Sequence, residues 1–210
     1  MSAVALTLRR PVATRVATSA PVAVLWLLFA VSNLASWRTT HRPTGLGATA
    51  LELVIATLFV VRRSPWLVSR SPLAWAAALI GTFGLLAARP AYGPIGGLGW
   101  LYGGLQVAGA IVAGIALLSL GRSFGLVAAN RGVRTGGLYR YVRHPAYSGY
   151  ILAYSGYVLE NPSLRNACLF AVVLVFQVVR IVEEERTLAG DPAYQEYRRR
   201  VRSRVIPYVL

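Results

Sequence analysis

The stretch from Gly136 to Leu188 holds most of the polar side chains able to do chemistry in an otherwise apolar chain. It opens on Arg143-His144-Pro145-Ala146-Tyr147-Ser148-Gly149 and closes on Arg180-Ile181-Val182-Glu183-Glu184-Glu185-Arg186-Thr187-Leu188. Pro145 suits a first helical turn and biases His144 away from helical backbone, so the imidazole is expected at a helix N-terminus. Arg180, Glu184 and Leu188 recur every four residues, which puts a guanidinium and a carboxylate on one helix face. Read structurally, that pair is a helix-end ion pair, worth little where water reaches it. All 22 basic residues are arginine. The absence of lysine removes Schiff-base chemistry, pyridoxal phosphate attachment and a Walker-type phosphate lysine. The single cysteine, Cys168, excludes an internal disulfide framework and a cysteine-built metal site. It reads as a small buried apolar residue, and no metal is expected.

The elements that must position these groups are membrane spans. A chain of 210 residues with 56% hydrophobic and only 14% charged residues is far from soluble composition. The formal charge of +15 invites a nucleic-acid reading, but the arginines fall between apolar runs, so none is expected. A first span covers about Thr18 to Trp37, long enough at ~1.5 Å per residue to cross a ~30 Å core and too long for a signal-peptide core. No small-residue cleavage site follows it, so the first helix is expected to stay. Further spans are expected at about Leu46–Val61, Leu73–Ala88 and Trp100–Leu120. The loop from Arg89 to Gly99, rich in glycine and proline, reads as a flexible turn rather than a phosphate cradle, since no strand precedes it. The last two spans, about Pro145–Leu159 and Ser163–Val182, are predicted to form a helical hairpin. Its turn is Glu160-Asn161-Pro162, with Pro162 starting the second helix.

The fold class expected is therefore all-α: a polytopic bundle of about six membrane-crossing helices and a C-terminal interfacial helix. It forms a single membrane domain over residues 1–210, with four N-terminal spans within 18–120 and a site-bearing half in 121–210. With the N-terminus inside, 18 arginines lie on the cytoplasmic side and four (Arg38, Arg42, Arg89 and Arg165) outside. Positive-inside bias then predicts both termini, and the polar motif, on the cytoplasmic face. The lysine-free composition, rich in Ala, Arg, Gly and Val, suggests a GC-rich bacterial genome and hence an inner membrane. Asp191-Pro192 signals a last helix, whose Tyr194, Tyr197 and Val201 recur at helical spacing beside Arg198, Arg199 and Arg200. Its arginines suit anionic headgroups. Within the spans, Glu52 calls for a neutralising or hydrogen-bonding partner. Asn33, Gln106 and Gln177 read as interhelical hydrogen-bond formers. Ser148-Gly149 and Ser155-Gly156 read as sites of close helix packing.

Arg143-His144-Pro145-x-Tyr147-x-Gly149, followed after one helical pair by Arg180-Ile-x-x-Glu184-Glu185-x-x-Leu188 and a basic tail ending Val205-Ile206-Pro207, resembles the isoprenylcysteine carboxyl methyltransferase and phospholipid methyltransferase superfamily. The resemblance covers roughly Gly121 to Pro207, and nothing before about residue 100 carries it. It implies a membrane methyltransferase using S-adenosylmethionine on a lipophilic acceptor. Arg143, His144, Pro145, Tyr147 and Gly149 match the family's cofactor-binding element, with Arg143 meeting the cofactor carboxylate and Gly149 allowing close approach. Arg180 and Glu184 match the pair lining the methyl-transfer site, Glu185 matches the second acid, and Glu183 leaves the register open by one residue. The family's C-terminal segment also helps to close the cofactor pocket. Three other readings stay open. Membrane sterol reductases share an Arg-His-Pro-x-Tyr element and bind a nicotinamide cofactor, though they usually have Asn where this chain has Ala146. A non-catalytic scaffold of the same fold and a transporter are the others. The acceptor is left open between a prenylcysteine-like carboxylate, a phospholipid amine, a thiol and other lipid-soluble nucleophiles, and so is the oligomeric state.

Overall fold

The computed structural model describes residues 12–91 and 96–209. Arg9 and Arg10, and residues 92–95 of the glycine-rich loop, lie outside the described residues. Among the described residues seven α-helices follow in chain order: α1 Val12–Thr40, α2 Pro43–Val61, α3 Pro72–Phe83, α4 Gly99–Leu120, α5 Pro145–Glu160, α6 Leu164–Leu188 and α7 Pro192–Arg200. A 3-10 turn over Gly84–Ala87 continues α3. Prolines begin α2, α3, α5 and α7, where a missing N–H costs nothing. Side-chain caps from Ser71, Ser163 and Asp191 start α3, α6 and α7. Pro162 therefore precedes the cap of α6 and does not start the helix.

Among the described residues, four helical segments, Ser19–Thr40, Pro43–Val61, Gly99–Ser123 and Leu164–Leu188, are long and apolar enough to cross a membrane. The α3 segment, Pro72–Ala87, is shorter, and α5 has 16 residues. Exposed large apolar side chains such as Leu28, Val31, Ile111, Val175 and Val178 cover the outward faces of the bundle. Cys168 is exposed among them, contrary to its expected burial. The reason is physical: in a chain surrounded by lipid an apolar residue is as well placed outside as inside.

Helix pairing also departs from expectation. α5 packs along α4, α6 along α3, and α1 along α2, while α5 and α6 touch little although a tight turn joins them. The last two helices are thus not a packed hairpin. Glycines explain the partner choice: a Cβ on Gly109 would lie 2.4 Å from the Ala153 nitrogen, and one on Gly149 2.4 Å from the Ala113 nitrogen. Only hydrogen at these positions lets the α4 and α5 backbones meet. On the other side, Gln177 donates from Nε2 to the Gly81 carbonyl at 2.8 Å, fixing α6 to α3.

The architecture is mainly helical, as expected, with one small addition. Two short strands, β1 Leu67–Val68 and β2 Ala129–Asn130, pair antiparallel with Leu67 opposite Asn130. Flanking bonds from Trp66 N to Asn130 O at 2.8 Å and from Ser69 N to Ala128 O at 2.9 Å extend the match. They tie the α2–α3 loop to the α4–α5 loop, which puts both at the end of the bundle where α5 begins and α6 ends. At the opposite end, Arg42 ion-pairs with Glu160 at 2.8 Å, and Gln106 donates to Glu160 at 2.6 Å. Within the bundle, Asn33 of α1 donates to both oxygens of Glu52 on α2, at 2.9 and 3.1 Å. The interhelical roles expected for Asn33, Gln106 and Gln177, and the paired state of Glu52, are what the structure shows.

Candidate active site

His144 is the N-cap residue of α5, with φ −131° and ψ 56°. Its backbone is clamped from outside the helix: Arg143 N donates to Ser203 O at 2.9 Å and His144 N to Arg204 O at 2.8 Å. Ser148 Oγ adds a bond to Val205 O at 2.6 Å. Residues 203–205 therefore form a strap over the first turn of α5 and satisfy donors that a helix start leaves without partners. The helix before the strap is anchored by Tyr194 and Tyr197, both buried beside Tyr139, with Tyr197 Oη donating to Tyr139 O at 2.7 Å. The apolar face of α7 thus packs on protein, and its opposite face leaves Arg198, Arg199 and Arg200 exposed.

The three glutamates of α6 point to three different neighbourhoods. Glu183 is buried and pairs with Arg186 at 2.7 Å. Glu185 lies against the strap: its carboxylate is 3.3 Å from Arg143 Nη1, 3.3 Å from Arg204 Nη2 and 3.2 Å from His144 Nε2. Glu184 faces a cavity and accepts the Tyr147 hydroxyl. Glu184 is thus the acid on the cavity wall, and Glu185 is the acid behind it. Because a carboxylate only accepts, His144 Nε2 carries the proton toward Glu185, which turns Nδ1 toward Glu184 Oε2 at 3.7 Å.

Arg180 reaches the same cavity by a different route. Its Nη1 donates to Thr82 Oγ1 at 3.0 Å and its Nη2 to the Leu126 carbonyl at 3.2 Å, while its Cζ lies 5.2 Å over the Tyr147 ring. Among the described residues no carboxylate forms an ion pair with Arg180, so the helix-end ion pair with Glu184 is not present. Tyr147 joins them instead, offering its ring face to the guanidinium and its hydroxyl to the carboxylate. On α5, Tyr150 and Tyr154 continue the aromatic surface, their rings stacked with centroids 6.3 Å apart. These two were missed from the sequence, although the i, i+3, i+7 spacing of Tyr147, Tyr150 and Tyr154 was available to find them.

Of the residues singled out beforehand, Arg143, His144, Tyr147, Arg180 and Glu184 come together on the cavity wall. Pro145 is fully buried in the first turn of α5, and Glu185 stands behind His144. Gly149 does not join them: it faces Ala113 and Gly109 of α4. Tyr139, Arg131, Tyr194 and Tyr197 line the cavity without having been singled out for it. Burial holds the Tyr139 and Tyr197 phenols well above their ordinary range, so both remain neutral hydrogen-bonding groups.

A family profile described as phospholipid methyltransferase matches residues 73–191. The chain belongs to this family. The match starts well before residue 100 and so takes in α3 and α4, where the sequence showed no resemblance. Structure supplies the reason, since Gly81 and Thr82 of α3 are the contacts that seat Arg180. A Protein-S-isoprenylcysteine O-methyltransferase of Schizosaccharomyces pombe is 34% identical over 97 residues, covering 42% of this chain and 41% of that protein. The chain thus aligns with about two fifths of the length of this relative. The solved eukaryotic intramembrane Ras methyltransferase, an isoprenylcysteine carboxyl methyltransferase, matches with a TM-score of 0.51 and 20% identity, over 91% of this chain and 75% of that one. That likeness shows a shared fold.

Proposed function

We propose that this chain is an S-adenosylmethionine-dependent methyltransferase that modifies a lipophilic acceptor entering from the bilayer. The observation that carries the reading is the Tyr147 bridge, which sets Arg180 and Glu184 on one cavity wall in a chain of the phospholipid methyltransferase family. The cavity suits the cofactor chemically. Glu184 offers negative charge to a sulfonium, the tyrosine rings offer π faces, and Arg143 has Nε buried without a hydrogen-bond partner. When bound, S-adenosylmethionine supplies a methyl group activated on a positively charged sulfur.

The protein's own part is positioning. Glu185, braced by Arg143 and Arg204, fixes the tautomer and orientation of His144. Tyr147 holds the Glu184 carboxylate, and Thr82 and Leu126 hold Arg180. The 203–205 strap covers the start of α5 and keeps water from that side. Holding two reactants in line supplies up to ~7–11 kcal/mol of barrier reduction, the main requirement of a methyl displacement. An amine acceptor would lose its proton to Glu184, the carboxylate on the wall, and a carboxylate acceptor would meet Arg180. Tyr150 and Tyr154 carry the aromatic surface from the cavity along α5, a path suited to an apolar chain. In this reading α3 and α5 complete six crossings by tilt or local thinning of the bilayer, and the arginine-rich end faces the cytoplasm.

Isothermal titration of the purified protein in nanodiscs is expected to show saturable binding of S-adenosylhomocysteine and none of NADPH. Saturable NADPH binding with no binding of the sulfur compound would replace this reading with a nicotinamide-dependent reductase.

A further inference from the structure

Two short segments at the cavity end of the bundle hold apolar side chains outward. In the α2–α3 loop Trp66, Leu67 and Val68 are exposed, Trp66 by 61%. They continue the outward apolar surface of Val60 and Val61 at the end of α2 and of Leu73 and Trp75 at the start of α3. The loop has a fixed shape, because β1 pairs with β2 and Trp75 Nε1 donates to Ser69 O at 3.1 Å. In the tail beyond the strap Ile206, Tyr208 and Val209 are exposed, Tyr208 by 98%. Here too the backbone sets the direction: Tyr208 N donates to Ser203 Oγ at 2.8 Å and Val209 N to Ile206 O at 3.1 Å. These bonds hold Tyr208 at a left-handed φ of 65°, which is uncommon for a residue other than glycine. Both segments are tied to cavity walls. Strand β2 contributes Ala129 to the lining, and Val205 O, next to Ile206, accepts from Ser148 Oγ beside Tyr147.

We infer that Trp66-Leu67-Val68 and Ile206-Tyr208-Val209 are two lips that enter the lipid monolayer where headgroups meet acyl chains, and that they fix the cavity at that depth. Their surroundings say what covers them. The first lip is continuous with the exposed apolar end of α2, a helix long and apolar enough to cross a membrane. Exposed Arg63 and Arg70 bracket it, and exposed Arg200 and Arg202 precede the second lip. No Asp or Glu lies within 62–75 or 197–209. Apolar side chains that include a tryptophan or tyrosine, set among arginines and away from acids, match acyl chains lying under a layer of phosphates. Helix α7 cannot supply this contact through its tyrosines, because Tyr194 and Tyr197 are buried against Tyr139. The inference concerns where the cavity opens, and it holds whether or not the bound molecule is a methyl donor. Joined to the proposed methyl transfer, it places the reacting group of the acceptor in the headgroup layer.

The test attaches a nitroxide at Leu67→Cys, Tyr208→Cys or Thr135→Cys, each combined with Cys168→Ser, in nanodiscs of phosphatidylethanolamine and phosphatidylglycerol. Thr135 is the control, an exposed polar residue between Arg134 and Gly136. Dissolved oxygen and a water-soluble nickel chelate report on the surroundings of each label. Leu67 and Tyr208 are expected to favour oxygen, at a depth of ~5–10 Å, and Thr135 to favour nickel. A second measurement needs no label: the fluorescence lost in Trp66→Phe should be quenched more by lipid brominated near the headgroup than by lipid brominated at the chain end. Nickel access at either lip as high as at Thr135 would overturn the inference. So would shielding of the lips from both reagents, the mark of a protein partner or a second copy of this chain. S-adenosylhomocysteine titrated into the same discs keeps the two readings apart. Lips at the expected depth with no binding would sink the methyltransferase reading and leave this inference standing.

Discussion

Glu184→Gln is expected to lower methyl-transfer turnover by about 10²- to 10³-fold, with affinity for S-adenosylhomocysteine unchanged within about twofold. The substitution is close to isosteric, and the amide oxygen still accepts the Tyr147 hydroxyl, so the wall of the cavity keeps its shape. What disappears is the negative charge facing the reacting groups. S-adenosylhomocysteine carries a neutral sulfur, so its binding reports on cavity integrity and turnover reports on the charge. A purely structural Glu184 makes the opposite forecast: a small fall in thermal stability and full turnover per folded molecule. Interactions realised mainly in the transition state appear in turnover, which is why the two readouts must be taken on the same preparation.

Gly149→Leu is expected to leave no folded protein in detergent, and Gly149→Ala to lower the thermal midpoint while sparing S-adenosylhomocysteine affinity in the molecules that remain folded. A Cβ here would sit 2.4 Å from the Ala113 nitrogen and 2.7 Å from the Gly109 carbonyl. Both are backbone atoms of α4, so relief requires the helices to move apart. Overpacking of even one methyl typically costs ~1–3 kcal/mol, and a leucine far more. Gly104→Ala is the matched control, because nothing lies within 4 Å of a Cβ at that position and alanine favours a helix. Fluorescence-detected size exclusion after heating measures all three variants. Lost cofactor binding with an unchanged midpoint in Gly149→Ala would return Gly149 to the cofactor site and remove it from helix packing.

Those two glycines also show where sequence reasoning stops. The helix boundaries were legible to within about six residues, because apolar runs, prolines and capping residues are local signals. The partner of each helix was not. Gly109 and Gly149 are 40 positions apart in the chain, and nothing local says that one fits the other. A hairpin turn suggested α5 against α6, but the glycine face of α5 and the Gly81–Gln177 contact of α6 sent each helix elsewhere. Cys168 failed for a related reason, since the rule that small apolar residues are buried assumes water outside. At the site, motif residues that are near in sequence were found. Arg131 was not, because its placement depends on β2 pairing with β1 more than 60 residues earlier and on Asp191 holding Asn130. The Glu183–Glu185 run could be sorted only once Arg186, the cavity and the strap were each seen to claim one carboxylate.

The most direct measurement is transfer of tritiated methyl from S-adenosylmethionine into organic-extractable lipid, using purified protein in nanodiscs formed from bacterial membrane lipids. Label is expected to enter the organic phase in proportion to time and enzyme, and to fall to near background with Glu184→Gln. A wild type that binds S-adenosylhomocysteine yet transfers no label, or a Glu184→Gln variant that transfers as much as wild type, would contradict the account.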